Sequence, residues 1–143
     1  MNPFVPPAGV VLSGATFHHI GVISSDIEKE TAQLAVLGYV AEGPDFTDPI
    51  QGVHGRFLTG PGPRLELLSP VGQGGVLSPW MKSGVKMYHL AYMVPGMDEA
   101  LEQLRQNRGR IMVKPVAAVA FGGRQIAFIM LPNMLLVEVI SAV

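Results

Sequence analysis

The chain repeats itself, and the repeat constrains its fold more than any other feature. A strand-like run, TFHHIGVI, is followed by a helical run, SSDIEKETAQLAVLG, and a short extended piece, YVAEGP. Two more strand-like runs, VHGRFL and RLELLS, then flank the turn-rich TGPGP. The same order returns as KMYHLAYMV, MDEALEQLRQN, IMVKPV, RQIAFIM and LLVEVI, with LPN between the last two. Each half reads as a βαβββ unit. His19 opens the first and His89 the second, 70 residues on; Glu66 and Glu138 close them, 72 residues apart. The near-constant offset marks an internal repeat at the positions where chemistry could sit.

The fold class is therefore α+β: two tandem βαβββ modules forming a curved mixed sheet around a metal site, with helices outside. Module one spans residues 16–71 and module two residues 86–143, joined by a Gly-rich linker, 72–85. Residues 1–15 form a Pro-rich N-terminal arm, free to lie over a partner. In the first helix Ser25 and Glu28 have capping-box spacing, Gly38 is a C-terminal stop, and Ile27, Leu34 and Leu37 form an apolar stripe. In the second helix Met97, Ala100, Leu101 and Leu104 do the same.

Strand alternation assigns the faces. Around TGPGP, Val53, Phe57, Leu65 and Leu67 share the helix side, and His54, Arg56, Arg64, Glu66 and Leu68 share the other. Phe17, His19 and Gly21 share one face of the first strand, which leaves His18 on the helix side as a structural residue. Met87, His89 and Ala91 match them in the second half, and Ile126 and Phe128 lie with Glu138. His19, Glu66, His89 and Glu138 thus converge inside.

Glu138 sits between Leu136 and Ile140 on an apolar face, and an unpaired buried charge costs several kcal/mol. It needs an Arg, a metal or water. Glu66 has Arg56 and Arg64 as further candidate partners across the hairpin. Two imidazoles and two carboxylates suit one divalent cation of the Co, Ni, Zn, Mn or Fe group, with its charge balanced by the carboxylates.

Composition closes off other classes. Hydrophobic residues make up 48% of the 143, enough for a good core, yet no apolar run reaches the roughly 20 residues of a membrane span. A net charge of −1 without a Lys/Arg cluster argues against a nucleic-acid surface. The absence of cysteine excludes disulfides and thiolate metal sites. A start without basic residues makes a poor signal peptide, so a cytoplasmic protein is expected. TGPGP and GQGG lack the strand–loop–helix context of a phosphate loop, and no nucleophile elbow is present.

The segments FHHIGV, RLELLSP, YHLAYMV, GGRQIAFI and LLVEVI resemble the signature segments of the vicinal oxygen chelate superfamily, over about residues 16 to 142. This superfamily includes glyoxalase I, methylmalonyl-CoA epimerase, extradiol dioxygenases and bleomycin-binding proteins. LGY after the first helix, ELLSP leading through a Gly-bearing link to YHLAY, and GGRQIAFI look most like the methylmalonyl-CoA epimerase branch. The resemblance implies His19, Glu66, His89 and Glu138 as ligands of one divalent metal per chain, and a homodimer. It also implies a general-base glutamate just before a QGV-like segment, where this chain has Ile50; Asp48 is the nearest acid.

The expected function is that of a divalent-metal-dependent isomerase of the epimerase type, moving a proton alpha to a carbonyl or thioester through a metal-stabilised enolate. Glu138, Glu66 and Asp48 are the candidate bases, and His54, Arg56 and Phe128 the candidate substrate contacts. The alternatives are a glyoxalase-I-type lyase acting on a hemithioacetal and a non-catalytic small-molecule binding or resistance protein of the same fold. The partners expected are a small-molecule substrate and a second copy of the chain, not nucleic acid or membrane.

Overall fold

The structure is a computed structural model and describes residues 12, 14–72 and 75–143. The N-terminal arm expected at 1–15 lies almost entirely outside the described residues, as do residues 73 and 74 of the expected linker.

The strands are β1 (Thr16–Ile23), β2 (Val40–Asp48), β3 (Val53–Thr59), β4 (Leu65–Pro70), β5 (Met87–Val94), β6 (Arg110–Ala117), β7 (Gln125–Met130) and β8 (Leu136–Ser141). The α-helices are α1 (Ile27–Ala35), α2 (Ser78–Lys82) and α3 (Met97–Gln106). Among the described residues all strands join one eight-stranded sheet in the order β2-β3-β4-β1-β5-β8-β7-β6. From the central antiparallel β1–β5 pair the order runs outward in the same way on both sides. β1 meets β4 in parallel as β5 meets β8, and an antiparallel hairpin follows on each flank. The tandem βαβββ reading holds, and the two units meet at their first strands.

Alternation sorts the core. Val137 and Val139 of β8 pack with Met97, Ala100 and Leu101 of α3, while Leu136 and Ile140 turn to the other, inner face. On the opposite flank Leu58, Leu65 and Leu67 pack under Ile27 and Leu34 of α1. Leu58 and Leu67 are fully buried, and removing each from water contributes about 1.5–3 kcal/mol.

Local details depart from the sequence reading. The cap of α1 is Asp26, whose Oδ1 accepts from the Lys29 backbone N–H at 3.1 Å, not a Ser25–Glu28 box. The helix stops at Ala35, so Leu37 falls in the turn and is 63% exposed. The linker is not merely a linker: Pro79 sits in the first turn of α2, where its missing N–H costs nothing. Leu77, just before α2, is fully buried, and with Trp80 and Met81 it covers the inner face of the sheet. Thus α1 and α3 lie outside, and α2 lies inside.

β3 corrects a face assignment. Phe57 pairs with Glu66 and Arg56 with Leu67. Residues directly opposite in a pair share a face, so Val53, Gly55 and Phe57 look inward with Glu66, and His54 and Arg56 look outward to α1. The hairpin closes with Leu58 opposite Leu65, one residue out of step with the expected alternation. No helix among the described residues is long and apolar enough to cross a membrane.

Candidate metal centre

Glu66, His19, His89 and Glu138 stand on four adjacent strands, β4, β1, β5 and β8, one residue on each. The register sets them in two rows. Gly21 pairs with both Glu66 and His89, and Ala91 pairs with both His19 and Glu138. Each row therefore reads carboxylate, small residue, imidazole. The small residue leaves room for the flanking side chains to lean together: a Cβ on Gly21 would lie 2.3 Å from His89 Cε1.

The four side chains meet. His19 Nε2 lies 3.0 Å from His89 Nε2, 3.2 Å from Glu66 Oε1 and 3.3 Å from Glu138 Oε1. His89 Nε2 lies 3.6 Å from Glu66 Oε1 and 3.2 Å from Glu138 Oε1. One donor atom from each residue falls within 4.8 Å of all the others, and all four residues are buried.

Burial opposes every charge here, and mutual attraction outweighs it. Burial disfavours the His19 imidazolium, but Glu66 and Glu138 push His19 up to about 9. His89 is raised in the same way, against burial, by Glu138 and Glu66. Burial pushes both carboxyls up, yet His19 and His89 hold Glu66 and Glu138 below the ordinary carboxylate range. Without a cation the cluster is a buried knot of ion pairs.

The donor set fits a divalent ion. Two atoms each about 2.1 Å from one ion stand about 3.0–3.4 Å apart at right or tetrahedral angles, which is the spread found for most of these pairs. Among the described residues Glu138 Oε1 and His89 Nδ1 are buried without a hydrogen-bond partner, and an orphaned carboxylate oxygen aimed at two imidazoles is what a cation would satisfy. Two neutral imidazoles and two carboxylates leave the loaded site with no net charge.

Above the cluster lies a cavity of about 20 Å³ walled by Phe46, Val53, Leu68, Tyr88, Phe121 and Phe128, with Glu66, His89 and Glu138 on its lining. That is room for about one water. Among the described residues the lining holds no Lys or Arg. Phe128 lies where the sequence reading put it, its ring 5.2 Å from that of His89.

Three other expected site residues are not brought to the cluster. Asp48 is buried and saturated: it accepts from the backbone N–H groups of Ile50, Gln51 and Val119 and from the Gln51 side chain. Burial alone would raise its carboxyl, but these donors hold it below its ordinary value. It ties the β2–β3 turn to residue 119 and has no oxygen to spare for a proton on carbon. Arg56 faces α1, with Nε 2.7 Å from Asp45 Oδ1, an N–H on Thr31 Oγ1 at 3.0 Å, and an ion pair to Glu28. His54, beside it, pairs with Thr47 and Asp45.

His18 is a further correction. A bulge between Phe17 and His19 breaks the β1 alternation and turns His18 inward. Its Nδ1 lies 2.7 Å from His19 Nδ1, and its ring meets Phe57 and Phe121. Burial, the charge on His19 and Arg64 push it down to about 4. A second irregularity, opposite Gly21 and Val22, puts Tyr88 on the cavity wall beside His89. Burial and the two glutamates raise the Tyr88 hydroxyl. Sequence reasoning missed both residues, although the doublets His18-His19 and Tyr88-His89 carried the signal: each histidine of the cluster follows another ring.

Comparison with known proteins agrees with the geometry. The sequence model of the Glyoxalase/Bleomycin resistance protein/Dioxygenase superfamily matches residues 18–128. An ethylmalonyl-CoA/methylmalonyl-CoA epimerase of Cereibacter sphaeroides is 24% identical over 114 residues, 78% of this chain and 85% of that protein. The methylmalonyl-CoA epimerase of Mycobacterium tuberculosis superposes with a TM-score of 0.76 at 19% identity, over 98% of this chain and 94% of that one. A variant of the Streptomyces coelicolor methylmalonyl-CoA epimerase, solved in complex with 2-nitronate-propionyl-CoA, superposes at 0.72 with 22% identity, over 88% and 93%.

Proposed function

Because this chain belongs to the Glyoxalase/Bleomycin resistance protein/Dioxygenase superfamily, we propose that it is a divalent-metal-dependent isomerase of the epimerase type. Its substrate would be a small acyl thioester or related carbonyl compound, losing and regaining a proton on the carbon alpha to the carbonyl. The observation that carries the reading is the buried meeting of His19, Glu66, His89 and Glu138 at the floor of an apolar cavity. The epimerase relative supports the reaction type, and the 2-nitronate-propionyl-CoA bound to the Streptomyces variant supports a thioester.

These four residues would hold Co, Ni, Zn, Mn or Fe as a divalent ion, which when bound supplies Lewis acidity toward a carbonyl oxygen. The chain's own residues do the rest. Phe46, Phe121 and Phe128 exclude water and grip the acyl group. Glu138 or Glu66 moves the proton, because each lies at the cavity lining whereas Asp48 is committed elsewhere. A correctly placed carboxylate base contributes about 10²–10⁴-fold.

The active unit would be a homodimer. The sheet ends in open edge strands, β2 and β6, which invite covering, and Val36, Leu37 and Val40 are exposed near the β2 edge. Sedimentation at micromolar concentration tests this; a pure monomer refutes it. For the reaction, protein reconstituted with each metal is assayed for α-deuterium exchange into acyl thioesters and for turnover of hemithioacetals. Exchange supports the epimerase reading, hemithioacetal turnover alone points to a lyase, and protein with no uptake of metal and no turnover is a binding protein.

A further inference from the structure

The two ligand histidines are held differently. The buried His89 Nδ1 has no hydrogen-bond partner among the described residues, and packing against Gly21, Tyr88 and Phe128 positions its ring. His19 is fully buried, and its Nδ1 lies 2.7 Å from Nδ1 of the residue before it. Successive residues of a regular strand point to opposite faces, so such a contact needs the bulge that β1 has here.

We infer that His18 is a positioning residue for the metal site: it accepts the Nδ1–H of His19 and so fixes the tautomer and ring orientation that turn His19 Nε2 toward Glu66 and Glu138. The inference rests on the metal reading above. An imidazole that gives Nε2 to a cation must keep its proton on Nδ1, and a buried N–H needs an acceptor. Among the described residues no backbone carbonyl or carboxylate is bonded there; a neighbouring imidazole nitrogen takes the place. Partners of this kind are worth roughly 10–100-fold in metal affinity.

The ring of His18 also touches Phe57 and Phe121, so packing must be separated from hydrogen bonding. His18→Phe keeps a ring and loses the acceptor; His18→Asn keeps an acceptor and loses the ring. Cobalt affinity, measured by chelator competition on the full chain, should fall about 10–100-fold in His18→Phe and return to within a few-fold of wild type in His18→Asn. A His18→Phe protein that binds cobalt as wild type does overturns the inference alone. So does a pattern in which Asn is the weak variant and Phe the tight one. Wild-type protein that takes up no ion overturns the metal reading and this inference with it. Should either variant fail to fold, zinc-loaded wild type decides: a scalar ¹⁵N–¹⁵N coupling between His18 Nδ1 and a protonated His19 Nδ1 supports the hydrogen bond, and an unprotonated His19 Nδ1 refutes it.

Discussion

Gly21 stands opposite His89 in the central strand pair, and the His89 ring fills the space a side chain on Gly21 would take, 2.3 Å from its ideal Cβ position. Real Cβ atoms do not approach so closely, so the ring and a methyl group there are mutually exclusive. Gly21→Ala should displace His89 from the cluster and weaken cobalt binding at least about tenfold, on the scale of a disturbed ligand support, while the protein still folds. Chelator competition alongside circular dichroism checks this; unchanged affinity would mean that His89 is not a ligand.

Metal stoichiometry should be one ion per chain. His89→Ala and Glu138→Ala should lose it and keep the fold, and Arg56→Ala should retain it. Elemental analysis after gel filtration reads all of these. An uptake well below one equivalent in reconstituted wild type would sink the site.

The metal-free and loaded proteins should respond to pH in opposite senses. In the metal-free chain His19 is raised from 6.5 to about 9, so its ion pairs stabilise fully below pH 6.5 and are lost as pH rises through about 9. Metal uptake needs the neutral imidazole, so affinity rises with pH up to about 9 and levels off. Thermal unfolding across this range, with and without chelator, should show the two trends diverging; parallel trends would contradict the assignment.

Asp48 should behave as a structural acid. Asp48→Ala leaves the part-buried N–H groups of Ile50, Gln51 and Val119 without their acceptor and should cost about 1–3 kcal/mol, measured by denaturant unfolding. Because its carboxyl is held below 3.8, its contribution is complete above that pH and is lost as pH falls through the lower folded value. With metal content matched, Asp48→Asn should retain α-deuterium exchange that Glu138→Gln or Glu66→Gln loses. The reverse outcome would make Asp48 the base.

Arg56 should matter for stability and not for the substrate. It joins β3 to Asp45 of β2 and to Thr31 and Glu28 of α1. Arg56→Ala should cost about 1–2 kcal/mol, and Arg56→Lys should recover little because an ammonium lacks the planar fork. A changed KM with unchanged stability would return Arg56 to the site.

The repeat made the fold class and all four cluster residues legible. Leu136, Glu138 and Ile140, and Ile126 and Phe128, lie on the faces that simple alternation assigns, because β7 and β8 pair without irregularity. Alternation failed where an extra residue or a turn reset the count. A bulge turned His18 inward, the strand irregularity at Tyr88 brought a second ring to the wall, and the TGPGP turn set β3 one residue off from β4. Such shifts depend on pairing with a partner strand and leave no local trace in composition. The fate of Asp48 was hidden for a related reason: one of its donors, Val119, lies 71 residues away.

Placing Gly21 and Ala91 at equivalent points of the two halves gives the cluster an approximate twofold axis between β1 and β5. Two identical half-length chains could make the same four-residue set, but every wall residue would then occur twice. Joining the halves covalently removes that constraint: His18 can stand on one side and Tyr88 on the other while the four cluster residues stay matched. A near-symmetric set of four donor atoms is thereby combined with unlike walls above it, so that the two sides of anything held there need not meet the same groups.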